Sequence, residues 1–213
     1  MSCYSYHNIR TVIYMIFIGI TGGVGAGKSA VLDYLAKQDG IKVMLADEIA
    51  HELMEPGTKC YERLKKMFKD EPIWQEDGHF DRPALARAIF SDDNKRGALN
   101  DIVHPAVKEF VLEAKKTAEE EGLFMLVLEA ALLIEEKYDE ICDELWYIYT
   151  SEENRRIRLK ASRGYSDEKI DNIFASQLSE AEYRKHCKKV IDNNGDIDNT
   201  IASINKALSE YKE

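Results

Sequence analysis

A run of small residues followed by a lysine and a serine is the part of this 213-residue chain that most directly indicates chemistry. Residues 22–29 fit the pattern Gly-x-x-x-x-Gly-Lys-Ser of a phosphate-binding loop, the P-loop. Glycines let the backbone curl so that successive N–H groups point into one concavity, where phosphate oxygens bind. We expect Lys28 to reach the β- and γ-phosphates of a nucleoside triphosphate and the Ser29 hydroxyl to bind Mg²⁺. The predicted nucleotide-binding residues are Gly22, Gly23, Val24, Gly25, Ala26, Gly27, Lys28, Ser29 and Ala30.

The segments on either side of this loop are those that a P-loop needs. The apolar residues 16–20 predict a buried strand before it. The apolar spacing after the loop predicts a helix over about 28–38, with Gly40 as its C-terminal cap. The N-terminus of such a helix adds positive potential where phosphates bind. The alternative is a glycine-rich turn that joins a strand to a helix and binds no ligand.

Composition, net charge and cysteine spacing exclude several classes of protein. Hydrophobic residues make up 45% and charged residues 32%, which is typical of a globular chain. The formal net charge of −10 argues against general nucleic-acid binding. The four cysteines lie far apart, without zinc-site or disulfide-framework spacing, so we expect a reducing, cytoplasmic location. The apolar stretch 9–20 is too short to span a bilayer, and we expect no membrane partner.

The rest of the chain alternates between strand and helix patterns. Further strands are predicted at 41–45, 123–128, 144–149 and 190–191. Between 46 and 121 the pattern is helical, with one helix starting at Asp81-Arg82-Pro83 and a longer one starting at His104-Pro105. This order predicts an α/β fold, a doubly wound parallel sheet with a helical insertion. Residues 1–14 are expected to be a poorly structured, dispensable leader, with Met15 directly before the first strand.

Two acidic residues lie within two residues after the ends of predicted strands. Asp47 comes after the strand at 41–45, and Glu129 after the strand at 123–128. Ligands of parallel sheets bind beyond the carboxyl ends of the strands, so both acids should face the P-loop. We expect Asp47 to orient or deprotonate a phosphate acceptor and Glu129 to lie near the metal. The alternatives are an Asp47 that stabilises a helix N-terminus and a Glu129 that pairs structurally with an arginine.

A basic helix follows the strand at 144–149, and Thr150 with Glu153 predicts a capping box at its start. We expect this helix to be a lid whose fixed positive charge stabilises the transferring phosphoryl group. Arg158 and Arg163 are the predicted contributors. A solvated basic face is the alternative. The five cations of the helix are Arg155, Arg156, Arg158, Lys160 and Arg163.

Several short motifs accompany the P-loop in a fixed order. They are Ala46-Asp47 with Ile49-Ala50-His51, Glu55-Pro56-Gly57, Phe80-Asp81-Arg82, Leu99-Asn100 with Ile102, His104-Pro105, Leu132-Leu133 with Glu135, Gln177, and Val190-Ile191-Asp192-Asn193. With these motifs the chain, from about residue 16 to 208, resembles the dephospho-CoA kinases, the last enzymes of coenzyme A biosynthesis. The resemblance implies a P-loop NTPase fold with a helical CoA domain and a lid. It also implies transfer of the ATP γ-phosphate to the ribose 3′-hydroxyl of dephospho-CoA, with Mg²⁺.

The resemblance extends to domains and to acceptor binding. It implies a nucleotide-binding core over 15–45, 122–150 and 188–213, a helical acceptor domain over 46–121, and a lid over 151–187. Within the matching motifs, the residues expected to bind the acceptor are Asp47, His51, Asp81, Arg82, Asn100 and His104. A local ion pair is the alternative for Asp81-Arg82, and a helix-start role is the alternative for His104.

The sequence also departs from the family pattern. Leu45 stands where the family often has an aspartate, and Glu129 stands where it has one. Two other functions therefore stay open. One is a P-loop kinase for another nucleoside or nucleotide, and the other is a nucleotide-binding regulatory protein without transfer activity. The sequence gives no indication of oligomeric state.

Overall fold

The computed structural model describes residues 14–211, which contain five strands, nine helices and one short 3₁₀ helix. The strands are β1 (Ile16–Thr21), β2 (Ile41–Leu45), β3 (Met125–Glu129), β4 (Glu144–Tyr149) and β5 (Lys189–Asp192). The helices are α1 (Lys28–Leu35), α2 (Ala46–Leu53), α3 (Lys59–Met67), α4 (Arg82–Ser91), α5 (Asp93–Glu121), α6 (Glu152–Arg163), α7 (Asp167–Ala175), α8 (Glu180–His186) and α9 (Ile197–Ser209), with the 3₁₀ helix at Tyr138–Glu140. Apart from Tyr14, the predicted leader lies outside the described residues.

The strands form one sheet in the order β2-β3-β1-β4-β5, and every neighbouring pair is parallel. The predicted parallel sheet is therefore confirmed, although β3 begins at Met125, two residues later than expected. The central strands β1 and β3 are buried along almost their whole length, as their continuous apolar sequences predict. Because all strands run in one direction, their carboxyl ends meet at one edge of the sheet.

Helices cover both faces of the sheet, which makes it doubly wound. On one face, Ile18 and Trp146 pack with the buried side chains of α1 and α9. On the other, Phe17 and Leu126 belong to a core that extends continuously into helices α2–α5, the insertion between β2 and β3. The predicted helical insertion thus packs onto the sheet through its own apolar faces. Across residues 14–211, no helix is both long and apolar enough to cross a membrane.

Helix α5 passes through Pro105 and does not begin there, which corrects the expected helix start at His104-Pro105. It begins at Asp93, where the Asp92 side chain accepts two backbone N–H groups at 2.9 and 3.2 Å. A proline inside a helix removes one backbone hydrogen bond and crowds the preceding turn. Val103 and Val107, on either side of it, are buried in the core of the insertion. Tertiary packing therefore outweighs the local preference at this position.

Two other helix boundaries differ from the predictions. Helix α1 ends at Leu35, and Gly40, with φ +76°, directly precedes β2 after a stretch of turns. The N-cap of α6 is Ser151, whose hydroxyl accepts a backbone N–H at 3.3 Å, so the expected capping box at Thr150 is wrong. The Thr150 hydroxyl instead donates to the Ala26 carbonyl oxygen at 3.0 Å. That long-range contact decides the role of Thr150, and sequence spacing could not reveal it.

Candidate active site

A cavity of about 770 Å³ lies at the carboxyl edge of the sheet. Its lining includes the P-loop residues 23–29, Asp47 at the start of α2, Glu129 at the end of β3, and Arg158 and Arg163 from α6. The P-loop, the two acids and the two arginines predicted to contact phosphate thus line the same cavity. Gly22 and Ala30 flank this lining. The Gly22 carbonyl oxygen accepts a hydrogen bond from the Lys28 side chain, and the Ala30 N–H donates to the Gly27 carbonyl oxygen at 3.2 Å.

The loop and the basic helix are in direct contact. Gly25 has φ +84°, a conformation that favours glycine. A Cβ atom at Gly25 would lie 3.0 Å from Cγ of Leu159 and 3.1 Å from the carbonyl oxygen of Arg155. Glycine therefore serves twice at this position, because it permits the turn and lets α6 pack against the loop.

Lys28 and Glu129 form an ion pair at the floor of the cavity. The Lys28 Nζ atom donates to the Gly22 carbonyl oxygen at 2.8 Å and lies 3.5 Å from Oε1 of Glu129. Burial lowers the pKa of Lys28, and attraction to Glu129 opposes that shift. Burial likewise raises the pKa of Glu129, and Lys28 opposes it. The attraction between the two side chains favours the charged form of each. The ion-pair partner of Glu129 is therefore Lys28, and not an arginine as the alternative reading of the sequence suggested.

Asp47 lies between two cavities. It is an exposed residue in the first turn of α2. Burial is the main cause of the raised pKa of Glu129, and the negative charge of Asp47 raises that pKa further. Besides the large cavity, Asp47 lines a smaller one of about 160 Å³ together with His104, Ala130 and Tyr138. The lining of the small cavity includes residues of α2 and α5 in the helical insertion, so Asp47 belongs both to the cavity at the P-loop and to the one at the insertion.

The other predicted acceptor residues are spread over the insertion. His51 and Arg82 line a third cavity, of about 660 Å³, whose remaining lining includes apolar side chains of α4 and α5. Arg82 pairs with Glu55 at 2.9 Å, so the local ion pair with Asp81 does not form. The Asp81 carboxylate accepts a backbone N–H in the first turn of α4 at 3.0 Å. Asn100, on α5, lines none of these three cavities.

Arg158 and Arg163, the two arginines predicted to contact phosphate, differ in their surroundings. Arg158 donates to the carbonyl oxygen of Asn193 at 2.7 Å and to that of Ala26 at 3.3 Å. Arg163 is the exposed last residue of α6, and its guanidinium lies 5.8 Å from the centre of the Tyr165 ring. Arg158 is thus held by protein carbonyls, whereas Arg163 extends from the end of the helix beside the cavity.

Comparison with known proteins identifies the family. A family model described as dephospho-CoA kinase matches residues 16–199. The chain belongs to the dephospho-CoA kinase family. Membership assigns it the family's activity, the ATP-dependent phosphorylation of dephospho-CoA to coenzyme A. The chain is therefore a kinase with ATP as co-substrate, and the function implied by the resemblance is confirmed at this level.

Individual relatives agree with the family match. The dephospho-CoA kinase of Symbiobacterium thermophilum is 36% identical over 193 residues, which are 91% of this chain and 80% of the relative. That of Shouchella clausii is 35% identical, covering 91% and 97%. A solved structure of a Thermus thermophilus protein has a TM-score of 0.75 at 30% identity, covering 92% and 98%. An Acinetobacter baumannii shikimate kinase, with a TM-score of 0.54 at 13% identity over 93% and 96%, shares the fold alone.

The large cavity of this dephospho-CoA kinase family member also contains oxygen atoms that could bind Mg²⁺. These are the Ser29 hydroxyl and the carboxylates of Glu129 and Asp47. Within residues 14–211, no group of three or more His, Cys, Asp or Glu side chains could hold a metal ion. Protein sites for Mg²⁺ typically combine one or two carboxylates with substrate phosphates and water, so this donor set fits the ion.

Sequence reasoning missed several residues that hold the loop. Arg155 and Gln177 contact Val24, and the Asn193 amide donates to the Ala26 carbonyl oxygen at 2.7 Å. The sequence could have indicated that Arg155 faces the protein interior, because Arg155 lies four residues before the apolar Leu159 and so shares its helix face. Both residues are buried. Asn193 and Gln177 appeared only as motifs of the resemblance, with no role attached.

Proposed function

We propose that the chain transfers the γ-phosphoryl group of ATP to the ribose 3′-hydroxyl of dephospho-CoA at the cavity that contains the P-loop. The observation that carries the proposal is the position of Asp47, which lines both this cavity and the smaller cavity beside His104. A carboxylate in that position stands between the nucleotide and an acceptor bound over the helical insertion. ADP and coenzyme A are the products.

In this proposal the acceptor lies along the helical insertion. Arg82 and His51 bind it within the 660 Å³ cavity, and Arg82 supplies positive charge for its phosphates. Asp81 contributes by fixing the start of α4, and with it the position of Arg82. Asn100 and His104 lie four residues apart on α5, so they share one face of that helix. His104 orients the end of the acceptor near Asp47.

The chemistry follows from the groups that surround the transferring phosphoryl group. Asp47 accepts the proton of the 3′-hydroxyl, and the oxygen forms a bond to the γ-phosphorus as the bond to the leaving ADP oxygen breaks. Lys28 and Arg163 stabilise the negative charge on the phosphoryl oxygens. Ser29 and Glu129 would hold Mg²⁺, which would neutralise part of the phosphate charge. Gly23 to Gly27 bind phosphates through backbone N–H groups.

We further propose a cytoplasmic location, with small-molecule substrates and with neither nucleic acid nor membrane as a partner. The three described cysteines Cys60, Cys142 and Cys187 are buried and unpaired, which is typical of a reducing compartment. The net charge of −10 is unfavourable for binding a polyanion.

Incubation of the full chain with ATP, Mg²⁺ and dephospho-CoA should give coenzyme A and ADP, detected by mass spectrometry. The Lys28→Ala variant should lower kcat/KM by about a thousandfold, because it removes the charge that contacts the β- and γ-phosphates. Lys37→Ala is the matched control, since Lys37 is an exposed lysine outside the lining of the cavity. The position of the new phosphate on the ribose is determined by phosphorus NMR, which distinguishes 3′- from 2′-phosphorylation.

The alternatives give different outcomes in the same assay. Phosphorylation of adenosine or AMP in preference to dephospho-CoA would replace the proposal with another acceptor. ATP binding by the wild-type chain without any product would favour a regulatory role, as Leu45 at the cavity wall permits.

Glu129→Gln should raise the Mg²⁺ concentration required for half-maximal rate by about tenfold or more, while the KM for dephospho-CoA stays nearly constant. The reason is that Glu129 would act through the metal and not through the acceptor. Half-maximal Mg²⁺ concentration and KM are measured by titration at saturating co-substrate. A raised KM for dephospho-CoA with an unchanged Mg²⁺ requirement would instead assign Glu129 to acceptor binding.

A further inference from the structure

Arg155 is a buried cation without a carboxylate partner among the described residues. Its guanidinium Nε atom donates to the carbonyl oxygen of Val24 in the P-loop at 2.9 Å. Its Nη2 atom donates to the Gln177 side-chain oxygen, and its Cζ atom lies 4.2 Å from the centre of the Phe174 ring. Arg155 is only 8% exposed. Burying a charge against neutral acceptors is unfavourable unless the geometry satisfies it, so its position needs a reason.

Gln177 contacts the same loop residue, Val24, through the Val24 backbone N–H group. Its Oε1 atom accepts the backbone N–H of Val24 at 3.3 Å, in addition to the Arg155 guanidinium. The N–H of Val24 is therefore held by the segment that follows α7, and its C=O is held by α6. Two separate parts of the lid thus converge on a single P-loop residue.

The neighbouring glycine shows how closely the guanidinium approaches the loop. A Cβ atom at Gly23 would overlap with the Arg155 guanidinium carbon and its terminal nitrogens. The charge also reaches the nucleotide cavity, because it lowers the pKa of Lys28 in addition to the larger effect of burial. Arg155 nevertheless does not line that cavity.

We propose that Arg155 and Gln177 form a clamp that fixes the Val24 peptide groups and holds the P-loop in its nucleotide-binding shape only when the lid is docked on it. Both are positioning residues, acting on ATP through the loop backbone. The proposal rests on the proposed function for the identity of the nucleotide. It makes ATP affinity depend on lid docking even though neither side chain touches a phosphate.

The first test measures ATP binding by calorimetry, without any acceptor. Gln177→Met has similar length and no hydrogen-bond acceptor, and Arg155→Lys keeps the charge without the fork of donors. Each should weaken ATP binding by about tenfold or more, as expected for the loss of a hydrogen bond to a charged group. Arg156→Ala is the matched control, because Arg156 lies beside Arg155 but pairs with Asp167 and Asp171 on α7. It should bind ATP as the wild type does.

The second test combines the variants. If the two side chains act as one unit, the double variant should bind ATP no more weakly than the weaker-binding single variant. The KM for ATP should rise in parallel, while the KM for dephospho-CoA stays within about twofold. Gln177 is only partly buried, so its variant keeps the test valid if Arg155 variants fail to fold.

Four outcomes would overturn the clamp. Full ATP affinity in Arg155→Lys would show that only the charge matters. A lower kcat with unchanged ATP affinity would place Arg155 on the transferring phosphate, and additive losses would separate the two residues. A lower melting temperature with unchanged ATP affinity would leave a packing role alone. Because ATP binding is measured without transfer, a chain that binds ATP yet makes no coenzyme A would reject the proposed function and leave the clamp standing.

Discussion

Asp47→Asn is expected to lower kcat by about a hundred- to ten-thousandfold, the range typical of losing a positioned general base. Asparagine has nearly the same shape as aspartate but cannot accept the proton of the ribose hydroxyl. ATP binding should remain near the wild-type value, because the P-loop contacts are unchanged. We would measure kcat by steady-state kinetics and ATP affinity by calorimetry. Glu52→Gln is the matched control, since Glu52 is an exposed acid on the same helix outside the lining of the three cavities.

Two outcomes would reassign this chemistry. Normal turnover in Asp47→Asn together with an inactive Glu129→Gln would mean that the two acids have exchanged roles. Near-normal turnover in both variants would mean that the proton leaves to water. In that second case Asp47 would only stabilise the N-terminus of α2, where it lies in the first turn.

Arg163→Ala is expected to lower kcat by about ten- to a thousandfold, because it removes a positive charge that would stabilise the transferring phosphoryl group. Arg163 is exposed at the end of α6 beside the cavity, so the substitution should leave the melting temperature nearly unchanged. Arg158→Ala should behave differently. Its guanidinium binds the carbonyl oxygens of Asn193 and Ala26, so its loss should lower the free energy of unfolding by about 1–3 kcal/mol.

Kinetics and thermal unfolding of the two variants separate these roles. Arg156→Ala on the same helix serves as the control for a general loss of charge. A kcat loss confined to Arg158→Ala would show that Arg158 leaves its carbonyl partners to contact the phosphates. Wild-type turnover in both variants would return the basic helix to the solvated face considered from sequence.

The sequence alone determined the elements whose signals are local. The P-loop glycines, the lysine and the serine are contiguous, and the strand and helix around them have unbroken apolar patterns. The strands β2 and β4 were also predicted from their local sequence, and their predicted bounds agree with the structure. A parallel sheet aligns the ends of its strands, so the sequence predicted that Asp47 and Glu129 lie at the same edge, and both line the large cavity.

Only the tertiary structure decided the features that depend on partners distant in the chain. Pro105 lies inside α5 because buried valines around it outweigh a missing backbone hydrogen bond. Thr150 donates to Ala26, 124 residues away, and no local spacing contains that contact. Arg155, Arg158 and Arg163 are all arginines of one helix. Their positions around the helix and their distances from the loop decide that Arg155 is buried against Val24, Arg158 is bound to carbonyl oxygens and Arg163 lies exposed beside the large cavity.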